Sequence, residues 1–315
     1  MKRRIRIACL AAAALLALPL GGCKSNPKPA KDGLDWDTVS YSAASGTLSA
    51  QESAPVPEPG SSAAQSHAPS SSGGQAFSHA EARTVQVTFI EGESLTQMAK
   101  KLEQAGVCKA SALIDTANSA DFSGYSFVPA RNSHRCFALE GYLYPDTYEF
   151  YKDESPISVL GRMLSNAQSK ITAADQNRAQ ALGYTMDEIL TIASILEKEV
   201  GSERERSRVS GVLHNRLKDG MQLQCDASIH YIEWYVKPYL TGDINRYNDY
   251  YNTYKCRALP AGPICNPGRS AINAALNPAD TDALYFASDA NGEYYYAATY
   301  EEHLANCAQA GIEIG

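Results

Sequence analysis

The chain has 315 residues, 44% hydrophobic and 20% charged, with 35 acidic against 28 basic side chains and a formal net charge of −7. That balance fits a folded globular body and argues against a nucleic-acid partner, which needs a basic surface to meet its phosphates. No CxxC pair and no HExxH helix occurs among the scattered cysteines and histidines, so no metal site is expected.

At the N-terminus Lys2, Arg3, Arg4 and Arg6 precede an apolar run from Ile7 to Leu20, which leads into Gly21, Gly22 and Cys23. The run is short for a membrane span and ends in small residues, so residues 1–23 read as a cleavable export signal. A small-residue site ending at cysteine resembles a bacterial lipobox. It implies lipidation of Cys23 and anchoring to the outer face of the cell membrane, with a retained signal anchor as the alternative. Loss of the basic leader takes the net charge to about −11. Residues 24–83 are Ser, Ala, Pro, Gly and Gln with few aliphatics. They read as a disordered tether with a reach of roughly 40 Å.

The body follows. Thr84 to Ile90 largely alternates β-branched or aromatic residues with polar ones and reads as a strand. Ser94 and Gln97 form a capping box for a helix with Leu95, Met98, Ala99 and Leu102 apolar, stopped at Gly106. A short helix over residues 110–120 and a return strand over 147–151 complete a small βααβ unit, residues 84–152, similar to a LysM-like glycan-binding module. The segment from Glu140 to Tyr148 leads into the return strand through a turn at Pro145 and Asp146. Its rings suit either a core or a sugar platform. Tyrosines outnumber phenylalanines 19 to 7, and rings with a polar tip suit wet interfaces. Six cysteines lie in this exported body: Cys108, Cys136, Cys225, Cys256, Cys265 and Cys307. An even number outside the cytoplasm favours disulfides. Locality favours Cys108–Cys136, then Cys225–Cys265.

Residues 153–315 form the second expected domain. Helices over 155–171 and 173–182 lead to the stretch from Thr185 to Gly220, which reads as two consecutive helices. Thr185 with Glu188 is one capping box, Ser202 with Glu205 a second, and Gly220 a stop. On the first helix Ile189, Leu190, Ile192, Ala193, Ile195, Leu196 and Val200 form a broad apolar arc, with Thr191, Ser194 and Lys198 on the polar face. Glu197 and Glu199 fall inside that arc. A buried carboxylate must be paired, hydrogen-bonded or protonated. Two readings stay open: pairing with arginines of the next helix (Arg204, Arg206, Arg208, Arg216), or one glutamate kept protonated by burial as a general acid. Being two apart, they point to different sides.

Beyond Gly220 a short polar segment holds Gln224, Cys225 and Asp226, followed by an aromatic, loop-like stretch from Trp234 to Tyr254. Leu259 to Gly268 is a rigid Pro-rich loop, with Asn266 and Pro267 placed as N-cap and N1 of a helix to about Leu276. Two strands over 284–288 and 293–298 make a hairpin at Asn291 and Gly292, and a last helix spans about 301–310.

The segments LEGYLYPDTY, ASILEKE, VSGVLHNRLKDGMQLQCD, YNTY, LPAGPICNPG and LYFASD with GEYYYA resemble, in order, the MltG/YceG family of endolytic murein transglycosylases. The resemblance covers Val85 to His303. It implies an α+β fold with a LysM-like subdomain packed on a YceG-like catalytic domain. The implied activity is cleavage of the MurNAc–GlcNAc β-1,4 bond of nascent peptidoglycan, leaving 1,6-anhydroMurNAc ends and terminating glycan elongation. It assigns the catalytic glutamate to Glu197, and it makes Glu199, Asn215, Arg216, Gln224, Asp226, Tyr251, Asn252 and Tyr254 candidates for the saccharide site. Glu140 and Tyr144 are weaker candidates, and the Leu259 to Gly268 loop a wall. No cofactor is implied. Partners implied are peptidoglycan strands, the cytoplasmic membrane through the lipid anchor, and cell-wall synthases. Typical members begin with a cytoplasmic tail and a transmembrane helix, whereas this chain carries the lipobox.

One carboxyl suffices for this chemistry, because the sugar's own C6 hydroxyl can attack the anomeric carbon. Glu197 is therefore expected to protonate the leaving oxygen and then take the hydroxyl proton, with burial beside Leu190 and Ala193 raising its pKa. The alternatives are a non-catalytic glycan-binding lipoprotein, a muramidase using water as acceptor, and a solute-binding lipoprotein. The last would need two α/β lobes whose rhythm is absent.

Overall fold

The computed structural model describes residues 84–256 and 258–312, so Cys23, the export signal and the tether lie outside the described residues. Strands β1 (Thr84–Thr88) and β2 (Thr147–Tyr151) pair antiparallel with Thr84 opposite Tyr151. Period-2 alternation turns Val87, Tyr148 and Phe150 inward. Between the strands lie α1 (Leu95–Gln104) and α2 (Ala110–Ser119), and the Ser94–Gln97 capping box is formed as expected. The helices α3 (Pro156–Lys170) and α4 (Ala173–Ala181) lead to α5 (Met186–Glu199) and α6 (Glu203–Lys218). After these come α7 (Asp226–His230), α8 (Arg246–Tyr251) and α9 (Arg269–Leu276). A hairpin of β3 (Tyr285–Ser288) and β4 (Tyr294–Ala297), then α10 (Tyr300–Gln309), close the chain. This is the α+β class expected.

The pillar of the body is α5. The Thr185–Glu188 capping box opens it, and every residue from Ile189 to Leu196 is buried. The helix packs against α4, α6, α7 and α9. Thr191 and Ser194, expected on a polar face, are inside. Ser194 Oγ donates to Thr191 O at 2.8 Å and accepts the Ile264 N–H at 3.0 Å. The Pro-rich loop thus covers that face, and the hydroxyls satisfy backbone groups there. At the helix start Asp187 accepts from Arg135 and from the Tyr142 hydroxyl. One hydrophobic core includes buried residues from Val87 to Phe286.

Three loops are sewn together beside α5. Asn266, wholly buried, donates through Nδ2 to Glu93 O at 3.0 Å and to Glu140 Oε1 at 3.1 Å, while its Oδ1 accepts the Leu143 N–H at 2.9 Å. Its main chain pairs with Gly92 and Glu93 at 2.9 Å each. Asn266 is therefore not the N-cap of α9. That position falls to Gly268, because the side chain of Asn266 is committed to the loop junction. Gly141 (φ +88°) belongs to the same junction, where a Cβ would lie 2.4 Å from Pro263 carbons. Only glycine fits there.

Other expectations are corrected. Ser202 stands at the N-cap of α6 without a side-chain cap bond, so the second capping box is not formed. The stop at Gly220 is formed as a Schellman motif, with Met221 N–H on Arg216 O at 2.8 Å and Gly220 N–H on Leu217 O at 3.3 Å. The stretch from Trp234 to Tyr254 is not mainly loop. A π-helical turn, Tyr231–Val236, continues α7, and α8 follows. These pieces are too short and too rich in Tyr, Asn and Asp to show an apolar period. All six cysteines of the body are free thiols. Neither Cys108–Cys136 nor Cys225–Cys265 is bridged. The Cys225 and Cys265 thiols each donate to a different carbonyl, Leu223 O at 3.5 Å and Ser194 O at 3.3 Å. Burial pushes the Cys108 thiol up to about 11. Among the described residues no helix is long and apolar enough to cross a membrane.

Glu140 gives a test of the loop junction. Its Oε1 accepts the Leu95 N–H at 2.9 Å as well as Asn266, and the carboxyl faces the buried Tyr231 hydroxyl. Burial pushes the carboxyl up to about 8, opposed by the Leu95 N–H, Tyr231 and Lys198. The folded state thus holds a proton that the unfolded chain releases at a lower pH. This contribution to stability is fully present below the unfolded value near 4.5, falls as pH rises, and is lost above about 8. In melts from pH 5 to 9, wild type should lose a few kcal/mol relative to Glu140→Gln, with the difference levelling off above pH 8. Parallel curves would contradict the protonated junction.

Candidate active site

At its C-terminal end α5 leaves the core and presents Glu197, Lys198 and Glu199. Glu197 Oε1 accepts from Arg206 Nη2 at 2.8 Å, and Oε2 accepts the Gly268 N–H at 3.0 Å. The two side chains are 6% and 11% exposed, so the pair is largely withdrawn from water. Gly268 is also the first residue of α9's cap, which places the carboxylate at a helix N-terminus that favours negative charge. Of the two readings open for these glutamates, Glu197 follows the pairing one. Its arginine partner lies one helix turn into α6.

Glu199 points away from Glu197, as the two-residue spacing requires, and accepts the Ala227 N–H at 3.1 Å in the first turn of α7. It therefore braces α7 against α5. Lys198 lies between, with Nζ 5.7 Å from the Tyr235 ring centroid.

Sequence reasoning passed over Glu91. It follows β1 in the turn before α1 and is exposed, yet its carboxyl lies across Gly268: a Cβ on that glycine would fall 1.8 Å from Glu91 Oε1. Burial raises the Glu91 pKa, the Glu197 charge adds to the rise, Arg206 opposes it and Glu203 adds a smaller push. Two carboxyl groups thus flank one glycine. A local clue was the Glu-Gly pair directly ahead of the Ser94 box, but no spacing in the sequence links residue 91 to residue 197. Tyr144, half-buried, lies on the same side. Burial raises its hydroxyl pKa, with Arg269 opposing and Glu91 adding.

The other expected site residues divide into two groups. Arg216 and Tyr251 are fully buried and do not line an open groove. Arg216 donates to Leu284 O at 2.5 Å, Gln222 O at 2.9 Å and Gln224 Oε1 at 3.0 Å, and stacks on Tyr285 at 5.0 Å. Tyr251 packs on Tyr231, with centroids 5.4 Å apart. Gln224 is buried with φ +55°, its N–H on Thr253 O at 3.0 Å, and Asn215 ties α6 to Thr281 O at 2.8 Å and Ala283 O at 3.1 Å. Asn215 and most of the Arg216 guanidinium thus hold neighbouring backbone, although Arg216 Nη2 is buried without a hydrogen-bond partner. Asp226, Asn252 and Tyr254 remain half-buried and linked. The Tyr254 hydroxyl donates to Asp226 Oδ1 at 2.7 Å, and Asn252 Oδ1 accepts the Tyr254 N–H at 2.9 Å. Glu140 sits in the loop junction, away from solvent.

Beyond Lys198 the surface carries aromatic side chains. Trp234 is 49% exposed and stacks on His230 with centroids 4.1 Å apart and planes 5° from parallel. Tyr235 meets Trp234 edge-on. A cavity of about 550 Å³ lies elsewhere, bounded by the segment from Ala117 to Leu139 and touching neither Glu91 nor Glu197.

Comparison with known proteins gives a consistent result. A profile of the YceG-like family matches residues 50–309. An endolytic murein transglycosylase of Bacillus subtilis is 29% identical over 226 residues, 69% of this chain and 63% of that protein. An endolytic murein transglycosylase of Streptococcus pneumoniae is 33% identical over 188 residues, 58% of this chain and 34% of that protein. The chain thus spans under two thirds of the length of either relative. A crystal structure of a yceG-like protein from Listeria monocytogenes superposes with a TM-score of 0.63 at 31% identity, covering 70% of this chain and 75% of that one.

The Glu197–Arg206 pair has a measurable weight. Breaking a buried pair from one side leaves an uncompensated charge, at a cost of about 3 kcal/mol. Arg206→Met should destabilise by that amount in urea titrations, and adding Glu197→Gln should recover part of it. A loss below about 1 kcal/mol would show that the pair is not held in solution.

Proposed function

The chain belongs to the YceG-like family, and from that premise we propose that it is an endolytic murein transglycosylase. It cleaves the MurNAc–GlcNAc β-1,4 bond inside peptidoglycan strands and leaves 1,6-anhydroMurNAc ends. One observation carries this reading: a carboxylate is fixed at the end of the buried α5 by Arg206 and the Gly268 N–H, beside a second carboxyl. A cleaved glycosidic bond passes through an oxocarbenium-like state, and a preorganised negative charge stabilises it. Glu197 supplies that charge, and the C6 hydroxyl of the cleaved sugar serves as nucleophile.

Trp234, Tyr235 and Lys198 form the strand-binding rim in this reading, with sugar faces on the exposed rings. Asp226, Asn252 and Tyr254 contribute polar contacts. Residues 84–152 serve as a LysM-like unit and 153–315 as the catalytic part, with β1, β2, α1 and α2 in support of the first. Gln224, Asn215, Arg216 and Tyr251 act from behind, by holding α6, α7 and α8 in place. The basic leader and Cys23 support lipid anchoring outside the cytoplasm, within reach of nascent strands and of the synthases that make them.

Purified strands digested by the full chain and resolved by mass spectrometry test the reaction. Wild type should release anhydro ends, and Glu197→Gln should lose at least about 100-fold in kcat. Ends heavier by one water would show a muramidase. No cleavage by wild type, with strands still bound, would leave the glycan-binding reading in its place. Trp234→Ala should raise KM about 3- to 10-fold with kcat little changed. An unchanged KM would remove Trp234 from the rim.

A further inference from the structure

We propose that the cavity bounded by residues 117–139 receives a peptide stem of the murein strand, with the stem's carboxylate at Arg131 and its ammonium at Asp121; this rests on the transglycosylase reading above. The cavity holds about 550 Å³, the size of a small-ligand site. Its walls include Phe122, Val128, Pro129, Ala138 and Leu139, of which Phe122 and Leu139 are buried. Alkyl and phenyl walls offer few partners to the hydroxyls of a sugar, which would lose their water without compensation. They suit the methyl groups of a short alanine-containing peptide.

The mouth carries opposite charges. Arg131 and Asp121 both line the cavity and are exposed. The Asp121 carboxylate is oriented by the Ser123 N–H, which it accepts at 2.9 Å. A stem that has not been cross-linked carries a free carboxylate at its end and a free ammonium on a side chain, so it matches both. Cross-linking converts that ammonium to an amide and adds bulk, so the mouth favours uncross-linked stems. The second guanidinium of the lining, Arg135, is a fixed wall. Its Nε donates to Ala261 O at 2.9 Å, and its Nη2 pairs with Asp187.

Arg135 also relates the cavity to the cleaving carboxyl. Its partner Asp187 lies in the first turn of α5, and Glu197 lies further along the same helix, a rise of about 15 Å. The Pro-rich loop runs beside that interval. Ala261 O meets Arg135, the Ile264 N–H meets Ser194 Oγ at 3.0 Å, and the Gly268 N–H meets Glu197 Oε2 at 3.0 Å. An extended stem of four or five residues spans about 13–18 Å. A strand whose sugars sit at the end of α5 can therefore lay one stem along the loop and into the cavity, while its sugar backbone stays at Glu197.

The test uses the full chain, two free peptides and two strands. The peptides are a stem tetrapeptide with a free C-terminal carboxylate and the same peptide as its C-terminal amide. One strand carries its uncross-linked stems, and the other has had them removed. In calorimetric titrations the tetrapeptide should bind wild type, and either Arg131→Ala or the amide should weaken binding about tenfold, the worth of one charge-assisted hydrogen bond. The amide should lose nothing more on Arg131→Ala, because both changes remove the same contact. Ala138→Phe, which fills the cavity from its wall, should abolish binding, and the amide on wild type decides the point should that variant misfold. In digestions wild type should show a KM about tenfold lower on the stem-bearing strand, and Arg131→Ala should erase the difference. No tetrapeptide binding, binding indifferent to both Arg131→Ala and the amide, or equal KM on the two strands overturns the stem site. A wild type that makes no anhydro ends from either strand instead overturns the transglycosylase reading, and the peptide titrations then still decide the cavity.

Discussion

The rest of the site depends on one carboxyl group, Glu197, paired inside the protein. Taking a charge from water costs several kcal/mol unless a counter-charge and hydrogen bonds replace the lost hydration. For Glu197 the replacement comes from two directions: Arg206, in the second turn of α6, and the Gly268 N–H at the start of α9. Three helices therefore meet at one side chain. The short link from α5 to α6 and the approach of the Pro-rich loop to α5 both serve that meeting.

The approach of the loop is itself held by polar groups. Asn266 satisfies groups in the Glu93 and Leu143 loops and in the Glu140 side chain, with no exposed surface of its own. Its main chain grips the turn at Gly92, which places Glu91 over Gly268. Ser194, halfway along α5, holds Ile264 two residues before Asn266. A single line of contacts thus runs from the buried face of the pillar, through the Pro-rich loop, to the Glu91 carboxyl. Glycines at 92, 141 and 268 keep that line close: Gly92 has φ +81°, and side chains at 141 and 268 would collide with Pro263 and Glu91 in turn.

Much of the scaffold was legible in the sequence. The capping boxes at Ser94 and Thr185, the two glutamates on different sides of α5, and the hairpin at Gly292 all follow from local rules of spacing and turn chemistry. What local rules miss is long-range commitment. Arg216 and Asn215 look like ligand donors in a linear reading, but carbonyls brought in from residues 222 to 284 engage Asn215 and the Nε and Nη1 of Arg216. Glu91 lay out of view because it is 106 residues from its partner and belongs to a turn with no periodicity. Even cysteines followed this pattern: an even count suggested bridges, whereas all six in the body are free thiols.

The central claim is that the glycan is cleaved at the carboxyl end of α5. A crystal structure of the Glu197→Gln variant with a bound strand of several MurNAc–GlcNAc units tests this most directly. The expected result is the scissile bond beside residue 197, with sugar faces on Trp234 or Tyr235. A strand lying along the 117–139 cavity, away from α5, would contradict it.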